Sequence, residues 1–184
     1  QHYEEEVRGS RFTVAASSFF QVNTGQLSRA VDEVRELLDL EGGEVVIDAY
    51  CGVGVFAVLM SPYVKRVIGI EESASAIEDA RRNLNGVTNV EFIEGKTEHI
   101  LSQWQENDVV DVLLLDPPRV GCHPDVLGSV KILKPKKVLM VSCEPTAMAR
   151  DLDLLCEGGM YKLDTLRPVD MFPQTRHVET ISLL

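Results

Sequence analysis

The feature that most constrains the fold of this chain is an alternation between short apolar segments and helix-like segments. The apolar segments are rich in β-branched residues, which is typical of parallel strands buried on both faces of a sheet. They predict strands at 44–49, 65–71, 90–93, 109–115 and 137–141, and at two longer segments near 161–169 and 177–183. Helices are predicted at 25–40, 55–60, 73–85, 124–130 and 145–156. This order of elements indicates an α/β protein.

The last two predicted strands have no helix between them, so we expect them to form an antiparallel pair at one edge of the sheet. The whole pattern predicts a Rossmann-like α/β fold: a mostly parallel seven-stranded sheet with an antiparallel C-terminal strand and helices on both faces. A length of 184 residues with 45% apolar content suits one domain over residues 1–184.

Length and hydropathy also exclude some classes of protein. The apolar segments are far shorter than a membrane-spanning helix, and the N-terminus lacks the apolar stretch of a secretory signal. We therefore expect a soluble, cytoplasmic protein without a membrane partner. The chain begins at Gln1 rather than at Met, which is typical of a processed or excised piece of a longer protein.

Cysteine spacing and net charge limit the possible ligands. The four cysteines Cys51, Cys122, Cys143 and Cys156 form no Cys-x-x-Cys pair, so we expect reduced thiols and no metal site. The formal net charge of −11 argues against a broadly basic surface for nucleic acid. Any contact with RNA must then be local or assisted by another part of the protein.

A glycine turn follows the first predicted strand of the sheet, in Asp48-Ala49-Tyr50-Cys51-Gly52-Val53-Gly54. Such a turn between a strand and a helix lets a nucleotide approach the backbone closely. Glu71 ends the next strand, where an acidic side chain accepts hydrogen bonds from ribose hydroxyls. Both NAD and S-adenosylmethionine need that contact. The alternative is purely structural: the glycines make a tight turn and Glu71 caps the next helix.

Two features favour S-adenosylmethionine over NAD. Asp48 leads the glycine turn, and the fourth strand ends in Asp116-Pro117-Pro118, and both resemble class I methyltransferases. Two successive prolines fix a rigid loop, which can present Asp116 to a flat substrate beside the cofactor. The alternative interpretation is a strand terminator in which Asp116 is only a turn residue.

Together the motifs of the chain resemble those of the RNA 5-methyluridine methyltransferases, and they cover essentially the whole catalytic domain of that family. The motifs are Phe19-Phe20-Gln21-Val22-Asn23, the Asp48 to Gly54 turn, Asp116-Pro117-Pro118-Arg119-Val120-Gly121, Ser142-Cys143-Glu144-Pro145, and Asp170-Met171-Phe172-Pro173-Gln174-Thr175 with His177-Val178-Glu179. The resemblance implies a class I methyltransferase fold that transfers a methyl group from S-adenosylmethionine to C5 of a uridine in tRNA or rRNA.

The resemblance also implies roles for individual residues. Cys143 corresponds to the nucleophile and Glu179 to the base. The cofactor contacts implied by the family are Gln21, Asp48, Tyr50, Gly52, Gly54, Glu71 and Asp116. Lys96 lies near the position where the family places a residue beside the adenine, and His177 is a candidate for orienting the substrate.

The chemistry of uracil explains why such a pair is needed. C5 is a poor nucleophile, and a thiolate that adds at C6 converts the ring into an enolate whose C5 can attack a methyl group. We expect a helix beginning near Pro145 to lower the pKa of Cys143, and burial to raise the pKa of Glu179 so that it suits a base. The structural alternatives are that Cys143 is a small buried apolar residue and that Glu179 is a solvated charge at the end of a strand.

Two departures from the family pattern leave alternatives open. Glu144 stands where the family has asparagine, and its charge could raise the pKa of the neighbouring thiol and repel phosphate. The N-terminal RNA-binding domain of the family is also absent from this sequence, so we expect that domain to grip the RNA. We also expect a monomer. The alternatives are methylation of another base or small molecule, a catalytically impaired cofactor-binding or RNA-binding module, and NAD-dependent oxidoreduction.

Overall fold

The computed structural model of the chain describes residues 2–18, 20–21, 23–105, 108–171, 173–175 and 178–184. The chain begins with a two-stranded antiparallel hairpin, β1 (His2–Val7) and β2 (Ser10–Ala15). Arg8 and Gly9 both have positive φ in its turn, as the tight turns of hairpins require. The sequence prediction missed this hairpin.

The rest of the described chain alternates between strands and helices. In chain order the elements are α1 (Thr24–Leu38), β3 (Val45–Ala49), α2 (Val55–Met60), β4 (Arg66–Glu71), α3 (Ala74–Asn83), β5 (Val90–Glu94), α4 (Thr97–Leu101), β6 (Val112–Leu115), α5 (Pro124–Leu133), β7 (Lys137–Ser142), α6 (Pro145–Cys156), β8 (Thr165–Val169) and β9 (Glu179–Leu183), with short 3-10 helices at Ser61–Tyr63 and Glu157–Gly159.

The main sheet has seven strands in the order β5-β4-β3-β6-β7-β9-β8. The five strands from β5 to β7 are parallel, and β9 runs antiparallel between β7 and β8. The predicted mostly parallel sheet with an antiparallel C-terminal strand is therefore confirmed. The last two strands also form the predicted antiparallel pair at the edge.

The sheet is buried on both faces because its central strands carry apolar side chains in both directions. Val46 and Leu114 belong to a core that packs against α1, α2 and α3, together with Phe12 of the hairpin. Ile47 and Leu113, one residue away along the same strands, belong to a second core against α4, α5 and α6. Among the described helices none is long and apolar enough to cross a membrane.

Several predicted boundaries were wrong, for identifiable reasons. The segment 109–115 forms a strand only from Val112, because Val109 is exposed and the carboxylate of Asp111 accepts a hydrogen bond from the backbone N–H of Val45. The segment 161–169 is a strand only from Thr165, because Tyr161 is buried and donates its hydroxyl hydrogen to the carbonyl of Pro135. The short helix α4 was not predicted.

Two side chains of α3 fasten the hairpin to the domain. The Asn83 side-chain oxygen accepts a 2.8 Å hydrogen bond from the backbone N–H of Thr13, and the Asp79 carboxylate accepts one of the same length from Ala15. Asp79 also accepts from the hydroxyl of Ser18. These bonds pair the open edge of β2 and fix the segment that leads to Gln21.

Candidate active site

The predicted site residues meet at the carboxyl edge of the parallel strands. After β3, the chain adds β4 and β5 on one side of that strand and then returns to add β6 on its other side. The boundary between β3 and β6 is therefore a topological switch point. Ligands of open α/β sheets bind in the crevice at such a point. Asp48, Glu71, Asp116 and Cys143 lie at the carboxyl ends of β3, β4, β6 and β7, and Glu179 begins β9 at the same edge.

The turn after β3 is held in an unusual backbone conformation. Tyr50, Gly52 and Gly54 have φ values of 64°, 53° and 82°. Gly54 is the N-cap of α2, and its N–H donates to the carbonyl of Cys51. A left-handed backbone is accessible to glycine at little cost, which explains the two glycines of the motif.

Glu71 organises this turn. One carboxylate oxygen accepts a 3.1 Å hydrogen bond from the N–H of Gly52, and the other accepts a 2.8 Å bond from the N–H of Ser73 before α3. The structural alternative for Glu71 therefore holds in part. Each carboxylate oxygen has a second lone pair, so the side chain can also accept from a ligand hydroxyl.

Two other predicted cofactor residues have polar atoms that are available for a ligand. Asp48 is buried, and one of its oxygens accepts a 2.9 Å hydrogen bond from the N–H of Ala57. Within the described residues, the other oxygen of Asp48 and the side-chain oxygen of Gln21 are buried without a partner. Burial raises the pKa of Asp48 to about 7, against the effect of the Ala57 hydrogen bond. Such orphaned acceptors fit a ligand that brings its own N–H or O–H donors.

A pocket of about 770 Å³ opens beside the turn. Its volume is within the range of small-molecule sites. The predicted residues Tyr50, Glu71 and Asp116 line it, and so does Lys96, whereas Gln21, Asp48, Gly52 and Gly54 are not among its lining residues. The rest of its lining includes residues of α4, of the loop before α5 and of α6 that the prediction did not assign to the site, among them Glu98, Cys122 and Asp151.

The predicted nucleophile and base lie across one antiparallel ladder. Ser142 of β7 pairs with Thr180 of β9, so Cys143 follows β7 where Glu179 begins β9. Burial raises the pKa of Cys143, the charge of Glu179 adds to that effect, and a side-chain hydrogen bond from Arg119 opposes it. The prediction that the following helix lowers this pKa below its ordinary value was therefore wrong: desolvation outweighs the favourable contacts.

Three carboxyl groups share this end of the sheet. Glu179 is only 2% exposed, and burial raises its pKa to about 7, as predicted. The pKa of Asp116 is also raised, first by burial and then by the charges of Glu179 and Asp48. One oxygen of Glu179 is buried and has no hydrogen-bond partner in the part of the chain that the structure describes. Glu179 is thus a carboxyl group that exchanges its proton near neutral pH and has an oxygen available for a ligand.

Glu144 is the N-cap of α6. Its carboxylate accepts a hydrogen bond from the N–H of Thr146, and its own N–H donates to the hydroxyl of Ser142. The leading causes of the raised pKa of Cys143 are burial and Glu179, so the raised value does not require the charge of Glu144.

The remaining predicted positions divide into three groups. Arg119, which follows the Asp116-Pro117-Pro118 motif, lies close enough to Cys143 to lower the pKa of its thiol. Cys51 and Cys122 are buried, and Cys156 is half-buried on α6. His177 lies outside the described residues. In the described ranges, no cluster of three or more histidine, cysteine or acidic side chains is placed to hold a metal ion.

Comparison with known proteins adds an independent line of evidence. The family model described as tRNA (uracil-5-)-methyltransferase matches residues 4–184. A Listeria innocua protein, named an uncharacterized RNA methyltransferase, is 44% identical over 98% of this chain, which covers 40% of that protein. A Bacillus cereus protein of the same description is 45% identical over 95% of this chain and 38% of its own length.

A solved structure shares the architecture. The crystal structure of Pyrococcus abyssi tRNA (uracil-54, C5)-methyltransferase in complex with S-adenosyl-L-homocysteine superimposes with a TM-score of 0.85 at 32% identity. The match covers 100% of this chain and 44% of the Pyrococcus abyssi chain. The chain therefore spans about two fifths of the length of the relatives it matches.

Proposed function

Because this chain belongs to the tRNA (uracil-5-)-methyltransferase family, which consists of RNA methyltransferases that use S-adenosylmethionine, we propose that it methylates C5 of a uridine in tRNA or rRNA. The observation that carries the proposal is the placement of Cys143 and Glu179 across the β7–β9 ladder. Asp116 lies close to both, because the charge of Glu179 raises the pKa of Asp116 and the charge of Asp116 raises the pKa of Cys143.

The residues around the glycine turn suit the cofactor. S-adenosylmethionine supplies an electrophilic methyl group. Asp48 and Gln21 offer buried oxygens without partners, and Glu71 offers free lone pairs beside the turn. We propose that these residues hold the cofactor together with Tyr50, Asp116 and the backbone of Gly52 and Gly54.

Cys143 activates the substrate by forming a covalent bond. Its thiolate adds to C6 of the uracil, and the electron pair of the C5–C6 double bond moves into the ring to give an enolate that is nucleophilic at C5. The half-buried Cys143 has a raised pKa, so only a small fraction is thiolate at neutral pH. The nearby cation of Arg119 favours the thiolate and opposes the effect of burial.

Glu179 completes the cycle as the base. Once C5 carries the methyl group, the carboxylate removes the C5 proton. The C6–S bond then breaks, the double bond returns, and Cys143 leaves as a thiolate. A carboxyl group with a pKa of about 7 is well matched to proton transfer near neutral pH.

We propose that RNA is gripped mainly by a part of the whole protein that lies outside this chain. Support comes from the net charge of −11 and from the chain's share of its relatives' length. The exposed Arg119 beside Cys143 is a local cation that can contact a phosphate or base at the site.

RNA that contains 5-fluorouridine tests the covalent step. Fluorine at C5 cannot be removed as a proton, so the adduct accumulates and migrates as a protein–RNA band on a denaturing gel. Wild type and Cys156→Ala should both form the band with S-adenosylmethionine present, and Cys143→Ala should not. Cys156 is the matched control because it too is a half-buried thiol.

Two results would contradict the proposal. Full methylation of RNA by Cys143→Ala would favour a non-covalent methyltransferase acting on another position or substrate. Binding of S-adenosylhomocysteine without turnover on pooled tRNA and rRNA would favour a non-catalytic module. Calorimetry with NAD in place of S-adenosylhomocysteine tests the oxidoreductase alternative.

A further inference from the structure

Two side chains from the middle of α6 hold the loop that follows Asp116 and Arg119. The buried carboxylate of Asp151 accepts a 2.7 Å hydrogen bond from the N–H of Cys122. The guanidinium of Arg150 donates to the carbonyl of Val120 at 2.9 Å. Arg150 also donates to Asp151 through two nitrogens, at 2.7 and 2.9 Å. The loop is thus attached to the helix on both sides of Gly121.

Gly121 shows how closely the loop approaches α6. Its φ is +88°, a left-handed conformation that suits glycine. A Cβ atom at this position would lie 2.6 Å from a carboxylate oxygen of Asp151 and 3.3 Å from the Cβ of Ala147. The loop therefore cannot shift toward α6 without a steric clash, and it cannot shift away without breaking these hydrogen bonds.

Helix α6 connects Arg150 and Asp151, which we call the clamp, to Cys143. The helix begins at Pro145, two residues after Cys143, and Asp151 lies six residues further along, about 9 Å down the helix axis. The same loop carries Arg119, which lies close enough to Cys143 to lower the pKa of its thiol. The loop after Asp116 and helix α6 therefore meet at two places: Arg119 lies near Cys143 at one end, and the clamp joins loop and helix at the other.

We propose that Arg150 and Asp151 are positioning residues that fix Asp116 and Arg119 relative to Cys143 during attack on the uracil. The substrate in this statement rests on the proposed function. A charged hydrogen-bonded pair suits the task because a carboxylate fixes a backbone N–H more strongly than a neutral acceptor does. A loss of alignment of about 1 Å far from the reacting atoms can reduce a rate by up to about 100-fold.

Asp151→Asn tests the clamp, with Asp153→Asn as the matched control on the same helix. Asp153 is exposed, so the control makes the same chemical change outside the clamp. For Asp151→Asn we expect the rate of adduct formation with 5-fluorouridine RNA to fall at least about 10-fold, while the affinity for S-adenosylhomocysteine changes less than about 3-fold. Asp153→Asn should match wild type in both measurements.

Arg150→Gln provides a second variant that should fold, because the Arg150 side chain is 54% exposed. We expect the rate of adduct formation to fall less than it does in Asp151→Asn. It should recover in part in Arg150→Lys, which keeps a cation beside Asp151. Both clamp residues also line the 770 Å³ pocket. Cofactor affinity that falls as much as the adduct rate would therefore assign them to binding and overturn the positioning role, as would wild-type adduct rates in Asp151→Asn and Arg150→Gln.

Alkylation of Cys143 by iodoacetamide, followed by peptide mass spectrometry, tests the clamp without RNA. The pH at which the alkylation rate is half its maximum reports the ionisation of the thiol. If the clamp holds Arg119 at the thiol, Asp151→Asn should move this midpoint to higher pH, and Asp153→Asn should not. An unchanged midpoint would refute the clamp even if the protein methylates RNA. A moved midpoint in a protein whose wild type forms no adduct would support the clamp and refute the uridine reaction instead.

Discussion

Replacing Glu179 with glutamine should stabilise the protein at alkaline pH while abolishing turnover. Glu179 is 2% exposed, and burial raises its pKa from an ordinary value of 4.5 to about 7. Between these two values the folded protein keeps a proton that the unfolded chain has lost, so the folded state loses stability as the pH rises through that interval. Glutamine has a similar shape and no proton to lose.

The size of the effect follows from the two pKa values. At about 1.4 kcal/mol per pKa unit, ionised Glu179 costs the fold about 3 kcal/mol relative to its protonated form, which is an upper estimate for the gain in Glu179→Gln at pH 8. At pH 5, near the lower of the two pKa values, the folded wild-type side chain is largely protonated, so the two proteins should differ by only a small part of this amount. Glu179 also raises the pKa of Asp116, and removing its charge adds to the gain in the same direction.

Urea unfolding at pH 5 and pH 8, followed by the fluorescence of the single tryptophan, measures the difference. Glu6→Gln is the control, because Glu6 is exposed on β1. The stability of Glu179→Gln relative to wild type should rise between pH 5 and pH 8, and that of Glu6→Gln should stay constant. An equal or lower relative stability of Glu179→Gln at pH 8 would refute burial as the cause of the raised pKa.

Two further predictions concern packing around the site. Gly69→Ala should lower the free energy of unfolding by about 1–3 kcal/mol, because its Cβ would lie 2.6 Å from the ring of Phe92 on β5. In a Phe92→Leu background, urea unfolding should show a loss that is smaller by at least about 0.5 kcal/mol. Additive losses would contradict the contact. Asp79→Ala should lower the free energy of unfolding by about 1–3 kcal/mol and speed amide hydrogen exchange in the hairpin, because the N–H of Ala15 loses its acceptor. Glu78→Ala is the control, because Glu78 is exposed on the same helix. Unchanged exchange in Asp79→Ala would contradict the anchoring role.

Most of the fold could be predicted because its parallel strands are buried on both faces. Segments such as 137–141 carry apolar side chains in both directions, so their sequence signal is continuous and strong. The glycine turn was equally accessible, since Gly52 and Gly54 stand between a predicted strand and a predicted helix, and both have positive φ. Cys143 and Glu179 were found through the order of family motifs, and in the sheet Cys143 follows β7 beside the start of β9 at Glu179.

The parts that escaped prediction depend on contacts between residues distant in sequence. The edge of β2 is paired by Asp79 and Asn83, about 60 to 70 residues away, so the hairpin has no local signal for its partner. The clamp joins Cys122 to Asp151 across 29 residues in the same way. The pKa of Cys143 was misjudged because a helix N-terminus can be inferred from sequence, whereas the desolvation of the thiol depends on three-dimensional packing.

Glu144 shows how a departure from a family motif can preserve structure while changing charge. An N-cap must offer an acceptor to the first N–H groups of the helix, and a carboxylate does so as an asparagine side chain does. Because α6 carries the clamp at Asp151, preserving its start also preserves the path from the clamp to Cys143. The strongest influences on the thiol, burial and Glu179, act independently of residue 144. The substitution therefore bears on what approaches the cysteine from outside, above all the phosphates of an RNA, more than on the geometry that makes the cysteine reactive.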